Sequence, residues 1–579
     1  MKSTPILALL IIPVHAAVAQ DPLITIGPLS SDTIAFQWGL NGEDAFLDVP
    51  GSDPGLWSRV QQINPGIIRF PGGTVANFYH PSTPGYGLVL SEIEQFQGEL
   101  AAHMEASYQA EAARIANGSL TQNYLDQMIA LATGTGVSVL YCTNVLTGSV
   151  PETMQVLQLL ASAGVEVAGV ELGNEAYLND YQSVYPDVQA YINASMPYNV
   201  AIKAAYPGMK VALAAAPPAV LNNEDAAQAA IVQAWNSPLS SVAWADAVVL
   251  HAYPELSVHC TQTTVPASVD CAVPFAAEFA GARMDSALAE LQAVAAHKVW
   301  VTEWNVRGNF ENYGNSLVQV LFCGEMFATF ARHPAVEIAT LHNFLTTSES
   351  YNVLRKLEGD SIFPMANFEA LRALAPLFGD GNVPQPGTAS GLSGLKVLAF
   401  AQPGQGVQDL LLVNHSGTAF SLSGLQAGAF PGHAWVVGGA DASVGTAQNA
   451  MSSTGGLVLQ SLDLVDIHQL NVPAFGVAMV EWSPDQLFAI DEWHPGMPMH
   501  LLPNPASTEV LVHYATTCTG AATVEVLDAT GQLIARPWTG VQPPGEHVVP
   551  IACRAWAPGV YLVRIAGAGQ PKPLRLLKL

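Results

Sequence analysis

The stretch VEVAGVELGNE, residues 165–175, decides how this chain is read. An apolar run of strand-like composition ends abruptly in Asn174 and Glu175. Buried strands carry such polar ends only where something compensates them. The same layout recurs at 299–305, VWVTEWN, where the run VWV is followed by Thr302, Glu303, Trp304 and Asn305. Two acidic residues, each closing a buried strand, point to one shared site.

Outward from these runs the chain alternates short apolar segments with helix-like ones, the mark of a βα fold. Expected strands are TIAFQW (33–38), GIIRF (66–70), VSVLYC (137–142), VEVAGVEL (165–172), VALAAA (211–216), AVVLHAY (247–253), KVWVTEW (298–304) and EIATLHNF (337–344). Amphipathic stretches such as YLDQMIALAT (124–133), MQVLQLLASA (154–163) and MDSALAELQAVAAH (284–297) lie between them. The gap between the second and third strands also holds an acidic insertion, SEIEQFQGELAAHMEA. Eight such strands predict an α/β fold, a closed (β/α)8 TIM barrel over residues 20–378. An open doubly wound sheet would need a switch point and usually a glycine-rich first turn, and no GxGxxG follows the first strand. Beyond the barrel the helical period stops. Runs such as LKVLAFA (395–401), DLLLVNH (409–415), HAWVVGG (433–439), LVLQSLDL (457–464) and GVAMVEW (476–482) predict a β-sandwich over 379–485. A further all-β unit is expected over 486–579.

With half of its 579 residues apolar and 12% charged, the chain is a globular one. Its formal charge of -27 and lack of any basic run exclude a phosphate-tracking surface, so no nucleic-acid partner is expected. Lys2, the apolar run PILALLIIPV (5–14) and AVA (17–19) predict a signal peptide over 1–19. No later segment has transmembrane character. Export suits the cysteines: Cys260 pairs plausibly with Cys271 across a Thr/Pro-rich loop, and Cys518 with Cys553. Cys142 and Cys323 are expected as small buried hydrophobes. No spacing of the cysteines and histidines suits zinc, and no cysteine has the setting of a nucleophile.

A barrel gathers its chemistry at the C-terminal ends of its strands. Polar residues fall there throughout: Arg69, Asn77 and Tyr79 after strand two, Asn144 after strand three, Asn174 and Glu175 after strand four. His251 and Tyr253 end strand six, Glu303 and Trp304 strand seven, and His342 and Asn343 strand eight. A single strand-end glutamate is ordinarily a cap or a salt-bridge partner, and for Tyr79 and His342 simple lining of the mouth is an equal alternative. The joint pattern is different, because two carboxylates in one mouth disfavour each other's charged form. Glycosidic bond cleavage uses such a pair, one protonated to release the leaving oxygen and one ionised to attack the anomeric carbon. Asn174 would then donate to a sugar 2-hydroxyl, Arg69 and Tyr253 would hold Glu303 ionised, and Trp304 and Tyr79 would offer flat surfaces to the ring. The turn Pro71–Gly72–Gly73 lets the backbone approach a ligand closely. No metal is expected, since His80, His251 and His342 have no acidic partner at ligand spacing.

The motifs RFPGGTVANFYH (69–80), ELGNEAY (171–177), HAYP (251–254) and VTEWNV (301–306) resemble those of the clan of retaining glycoside hydrolases with the acid/base after strand four and the nucleophile after strand seven. Within that clan they are most similar to the family 51 α-L-arabinofuranosidases. The resemblance implies that Glu175 is the general acid/base, Glu303 the nucleophile, Asn174 the partner of the 2-hydroxyl and Tyr253 a residue orienting the nucleophile. It also implies no cofactor, a plant or algal polysaccharide or oligosaccharide as substrate, and a sandwich strand borrowed from before the barrel, DPLITIG (21–27). The chain departs from that family at Thr302, commonly Asp there, and in TVANFYH after the glycine pair. TEWN and GNE also suit relatives such as the heparanase-like family 79 and family 39 enzymes. A glucuronidase would want a cation for the substrate carboxylate, and only Arg69 and Arg307 lie near strand ends. Endo action and a non-catalytic carbohydrate-binding protein of hydrolase fold remain open alternatives at this point.

The C-terminal segments LLPNPASTEVLVHY (501–514), VEVLDATGQLI (524–534), APGVYLVRIAG (557–567) and PLRLLKL (573–579) resemble a type IX secretion sorting domain. That resemblance implies a small β-sandwich, outer-membrane secretion machinery as its partner, and a secreted or cell-surface enzyme. A carbohydrate-binding module would show a row of exposed aromatics, which this segment lacks.

Overall fold

The computed structural model describes Leu23–Ile26, residues 36–482 and residues 499–578, except for 44, 48, 99–101, 120–121, 223–225, 262–264, 295–296, 307–314, 347–351, 357–361, 379–382, 391–393, 402–406, 426–430, 440–456, 458, 503–505, 517–518, 529–531 and 568–573. The expected signal peptide, Arg307 and Cys518 lie outside these residues. The chain forms two compact units, the first running to Val480 and the second from Glu481 onward, with 428–432 and 463–467 grouped with the second.

Eight parallel strands close into a barrel. They are β1 (Gln37–Asn41), β2 (Ile67–Phe70), β3 (Ser138–Thr143), β4 (Val167–Leu172), β5 (Val211–Ala214), β6 (Ala247–Ala252), β7 (Lys298–Trp304) and β8 (Val336–Leu341). Closure is made by β1 against β8, with Gln37 opposite Ile338. The first strand therefore runs later than TIAFQW, taking in Gly39, Leu40 and Asn41. Almost every strand residue is buried because helices cover the outer face and side chains fill the inner one. Ile67, Leu140, Ala212, Ala247, Val249, Trp300 and Ile338 pack together inside the barrel. Gly169 makes room for that packing, since a Cβ there would stand 2.4 Å from Trp300 Cη2.

Local sequence sets the helix ends. Asn123 and Asp126 form a reciprocal capping box at the start of Tyr124–Thr135, and Gly136 closes it at φ 82°. The helix Leu317–Arg332 is buried from Leu317 to Ala331 and is largely apolar all round, because it is covered on all sides. Trp304 packs against Phe322, Phe327 and Phe330 of this helix. On its other side Gly324 comes close to Val413 and Val477 of the neighbouring sheet. The acidic insertion forms two helices, Leu90–Gln97 and Ala102–Ala116. No described helix is long and apolar enough to cross a membrane.

The region after the barrel forms a seven-stranded sheet with antiparallel registered pairings and a short pair, Phe420–Ser421 with Asn471–Val472. Leu23–Ile26 pairs with Val383–Ser390, so the strand before the barrel is indeed borrowed. In the second unit, sheets of three and four strands enclose a core of Val510, Val512, Val524, Val526, Val563 and Leu576.

Cys260 and Cys271 form a disulfide; Cys271 lies within the helix Val265–Glu278 rather than in a loop. Cys142 and Cys323 are buried free thiols. Cys553 is also a buried free thiol, packed in the core of the second unit, and its expected partner Cys518 lies outside the described residues.

Candidate active site

The inward faces of β2, β3, β4 and β6 place Arg69, Cys142, Glu171 and His251 above the apolar packing of the barrel interior. Each lies two residues beyond an inward residue, following Ile67, Leu140, Gly169 and Val249. β7 breaks that period. Leu250 pairs with Val301, but His251 pairs with Glu303, so one extra residue is accommodated at Thr302. The bulge carries Glu303 onto the face that Trp300 occupies and turns Trp304 outward. Trp304 is fully buried against helix aromatics and offers no surface to a sugar, contrary to expectation. Tyr79 is excluded likewise, 2% exposed between Phe70 and Tyr124.

Arg69 is fully enclosed, and its guanidinium organises the site. Nε donates to Glu171 Oε2 at 2.8 Å, Nη1 to Glu303 Oε1 at 2.6 Å and Nη2 to Asn174 Oδ1 at 2.8 Å. Tyr253 Oη donates to the other oxygen of Glu303 at 2.7 Å. His251 Nδ1 lies 2.9 Å from Glu175 Oε1 and 3.6 Å from Glu303 Oε2. Its Nε2 is 3.3 Å from Thr302 Oγ1. Tyr177 Oη donates to Glu175 Oε1 at 3.1 Å. A carboxylate oxygen of Glu175, one of Glu303 and a ring nitrogen of His251 all lie within 4.8 Å of one another.

The two carboxylates are unequal. Burial alone would raise the pKa of Glu303, but the charges of His251, Arg69 and His342 and the Tyr253 hydrogen bond outweigh it and hold the group well below the usual carboxylate range. Burial likewise opposes the charge on His251, yet Glu303 and the bonded Glu175 raise its pKa above the ordinary imidazole value. The Glu175 side chain is 21% exposed and that of Glu303 only 7%, so Glu175 has the readier contact with solvent. It sits at φ 46°, just beyond Gly173 at φ 83°.

Asn77 and Asn144 serve the loops and not the cavity. Asn77 exchanges two 2.8 Å hydrogen bonds with the backbone of Asn174, fixing the loop that carries Glu175. Asn144 accepts from the Thr147 amide at 2.9 Å and donates to Thr147 Oγ1 and to the Tyr79 carbonyl. His342 joins the site from β8, with Nδ1 2.7 Å from Asn41 Nδ2 and Nε2 3.2 Å from Glu43 Oε2. Its carbonyl accepts from Asn305 Nδ2.

Sequence reasoning missed Asn41, Glu43, Glu171 and Tyr177. Asn41 ends the strand whose expected bounds stopped at Trp38, and Glu43 follows it. Glu171 stood within the quoted motif but carried no signal of its partner. Close approach of the glycine turn is real but serves protein groups: a Cβ on Gly72 would strike Asn41 Oδ1, and one on Gly73 the Glu43 carboxylate. Contrary to expectation, all three histidines have acidic partners. The fold supplies His251 with Glu175, His342 with Glu43, and His80 with both Glu92 and Glu152. In the first case Arg69 and Tyr253 already occupy the Glu303 oxygens, a donor set suited to an anion and not to a cation.

Residues 500–575 match the family described as the secretion system C-terminal sorting domain. No curated protein matches the chain. Among solved structures, the family 51 arabinofuranosidase of Xanthomonas axonopodis pv. citri is similar at 13% identity and TM-score 0.56, over 80% of this chain and 99% of that one. The family 51 α-L-arabinofuranosidase AbfB of Bifidobacterium longum is similar at 13% identity and TM-score 0.54, over 80% and 99%. A 4-O-α-L-rhamnosyl-β-D-glucuronidase of Fusarium oxysporum 12S is similar at 12% identity and TM-score 0.51, over 79% and 99%. These likenesses establish a shared fold.

Proposed function

We propose that the protein is a secreted retaining glycoside hydrolase, an exo-acting α-L-arabinofuranosidase of plant or algal polysaccharide or its oligosaccharides. The observation that carries this reading is the pair Glu175 and Glu303, with carboxylate oxygens within 4.8 Å of each other. Retaining glycosidases hold their carboxyl groups about 5–5.5 Å apart, whereas inverting ones leave room for a water at roughly 6.5–9.5 Å. Glu303, kept ionised by Arg69, His251 and Tyr253, attacks the anomeric carbon while Glu175 gives its proton to the departing glycosidic oxygen. A covalent glycosyl-enzyme results. Glu175 then takes a proton from water, which attacks the same carbon and releases Glu303. Because Asn174 Oδ1 faces Arg69, its amide NH2 is turned the other way, available to the 2-hydroxyl as positive charge develops on the ring. The sugar rests on the family 51 motifs and on the fold shared with arabinofuranosidases. The second reading, a glucuronidase, has the Fusarium likeness in its favour. The matched sorting domain supports export to the cell surface or beyond.

The test is hydrolysis of 4-nitrophenyl α-L-arabinofuranoside, β-D-xyloside, β-D-glucuronide, β-D-galactoside and β-D-glucoside, with Glu303→Gly and Glu175→Ala alongside. Arabinofuranoside turnover lost in Glu303→Gly, with retained configuration in the product, is expected. Turnover of the glucuronide alone replaces the sugar but keeps the mechanism; an inverted product overturns the mechanism.

A further inference from the structure

Glu171 takes no part in the steps above, yet it stands in the barrel interior beside Arg69, which bonds to Glu303. It is fully buried on β4, with Arg69 Nε at 2.8 Å and Nη2 at 2.7 Å from Oε2. Its second oxygen, Oε1, is buried and accepts no close hydrogen bond from any described residue, the weakly polar Cys142 thiol being its neighbour in the site. A carboxylate in that position is costly, and a neutral side chain would serve packing better.

The geometry points to Glu171 as a positioning residue that acts on Glu303 and Asn174 through Arg69; this rests on the reading of Glu303 as nucleophile. An arginine and a carboxylate left to themselves tend to close into a two-point fork. Such a fork on Glu303 would engage both oxygens and draw the carboxylate toward the guanidinium. Glu171 prevents it by holding Nε and Nη2 to one side. Glu303 consequently receives Nη1 alone on Oε1, and the other Nη2 hydrogen goes to Asn174 Oδ1. Glu171 also shares the positive charge of Arg69, so Glu303 is ionised without being the sole counter-charge. A nucleophile that bears the whole of Arg69's charge attacks less readily but departs more readily. The two chemical steps must therefore respond differently to the loss of Glu171.

The experiment is pre-steady-state hydrolysis of 4-nitrophenyl α-L-arabinofuranoside by the full chain, resolving formation of the glycosyl-enzyme from its breakdown. Glu171→Gln keeps the shape and an acceptor oxygen but removes the charge. Formation of the intermediate is expected to slow about 10- to 100-fold, the scale of one hydrogen bond to a charged group. Breakdown is expected to hold or quicken, with KM nearly unchanged. Glu171→Asp keeps the charge with a shorter reach and shows the same selective slowing in smaller measure, about threefold; it carries the test alone if the Gln variant does not fold. Equal slowing of both steps, or wild-type rates in a folded variant, overturns the inference. Glu303→Gly rescued by azide, giving a glycosyl azide of inverted configuration, separates the two layers. If that variant hydrolyses unaided, the nucleophile assignment itself fails. If it behaves as expected and Glu171→Gln matches wild type, only the role of Glu171 falls.

Discussion

Tyr253→Phe removes one hydroxyl and leaves the ring that packs edge-on to His342 at 5.9 Å between centroids. Among the described residues the hydroxyl is one of two direct donors to Glu303, at 2.7 Å on Oε2, opposite Arg69 at 2.6 Å on Oε1. With it gone the carboxylate can pivot about its remaining anchor toward His251, 3.6 Å from the same oxygen. A hydrogen bond to a charged group contributes about 1.5–3 kcal/mol. Carried wholly into the transition state, that is about a 10- to 150-fold loss in kcat/KM. The loss belongs in kcat, because in the proposed mechanism Tyr253 holds the nucleophile and not the sugar. The assay is steady-state hydrolysis of the aryl arabinofuranoside, with thermal melts run on the same samples. A loss below about threefold would refute the claim that Tyr253 aims Glu303. A loss expressed wholly in KM would place the hydroxyl on the substrate instead.

Other consequences are open to direct measurement. Trp304→Ala should destabilise the barrel by about 3–5 kcal/mol, as loss of a large buried aromatic does, while Trp304→Phe should leave KM within about twofold; a large KM effect in the folded Phe variant would restore Trp304 to the sugar site. Breaking the Cys260–Cys271 bridge, which closes a separation of 11 residues, should cost about 2–3 kcal/mol, and equal melting temperatures in oxidised and reduced protein would contradict this. His80 lies 2.9 Å from both Glu92 and Glu152; burial works against its charge, but the two carboxylates raise its pKa overall. The sign follows: its stabilisation is complete below about pH 6.5 and is lost as pH rises through the raised folded value. His80→Gln should therefore melt earlier than wild type near pH 6, by at most about 1 kcal/mol because both carboxylates are partly open to solvent, and the gap should close by about pH 9. A gap that persists unchanged at high pH would show that packing and not charge is at work.

Periodicity and strand-end polarity made much of this protein legible from its residues alone. Seven of the eight expected barrel strands fall where apolar runs lie, because a strand buried on both faces must be apolar almost throughout. GNE and TEWN stood out because a buried run that ends in a carboxylate needs a compensating partner. The borrowed strand Leu23–Ile26 and the C-terminal unit were readable for similar reasons. The first strand was misplaced because residues 39–41, GLN, have little strand character; closure against β8 makes them one.

What each polar residue does was decided only by tertiary structure. Strict alternation cannot place Glu303 and Trp304 correctly, since a one-residue bulge at Thr302 exchanges their faces, and a bulge is a property of the pairing and not of the strand. Arg69 and Glu171 are 102 residues apart in sequence, and Arg69 and Glu303 are 234 apart. No local pattern relates such residues. The barrel brings them within hydrogen-bonding distance because each stands at the same height on the inward face of its strand. Chemical capacity was written in residue type and local period, and the division of labour within the site came from closing the sheet.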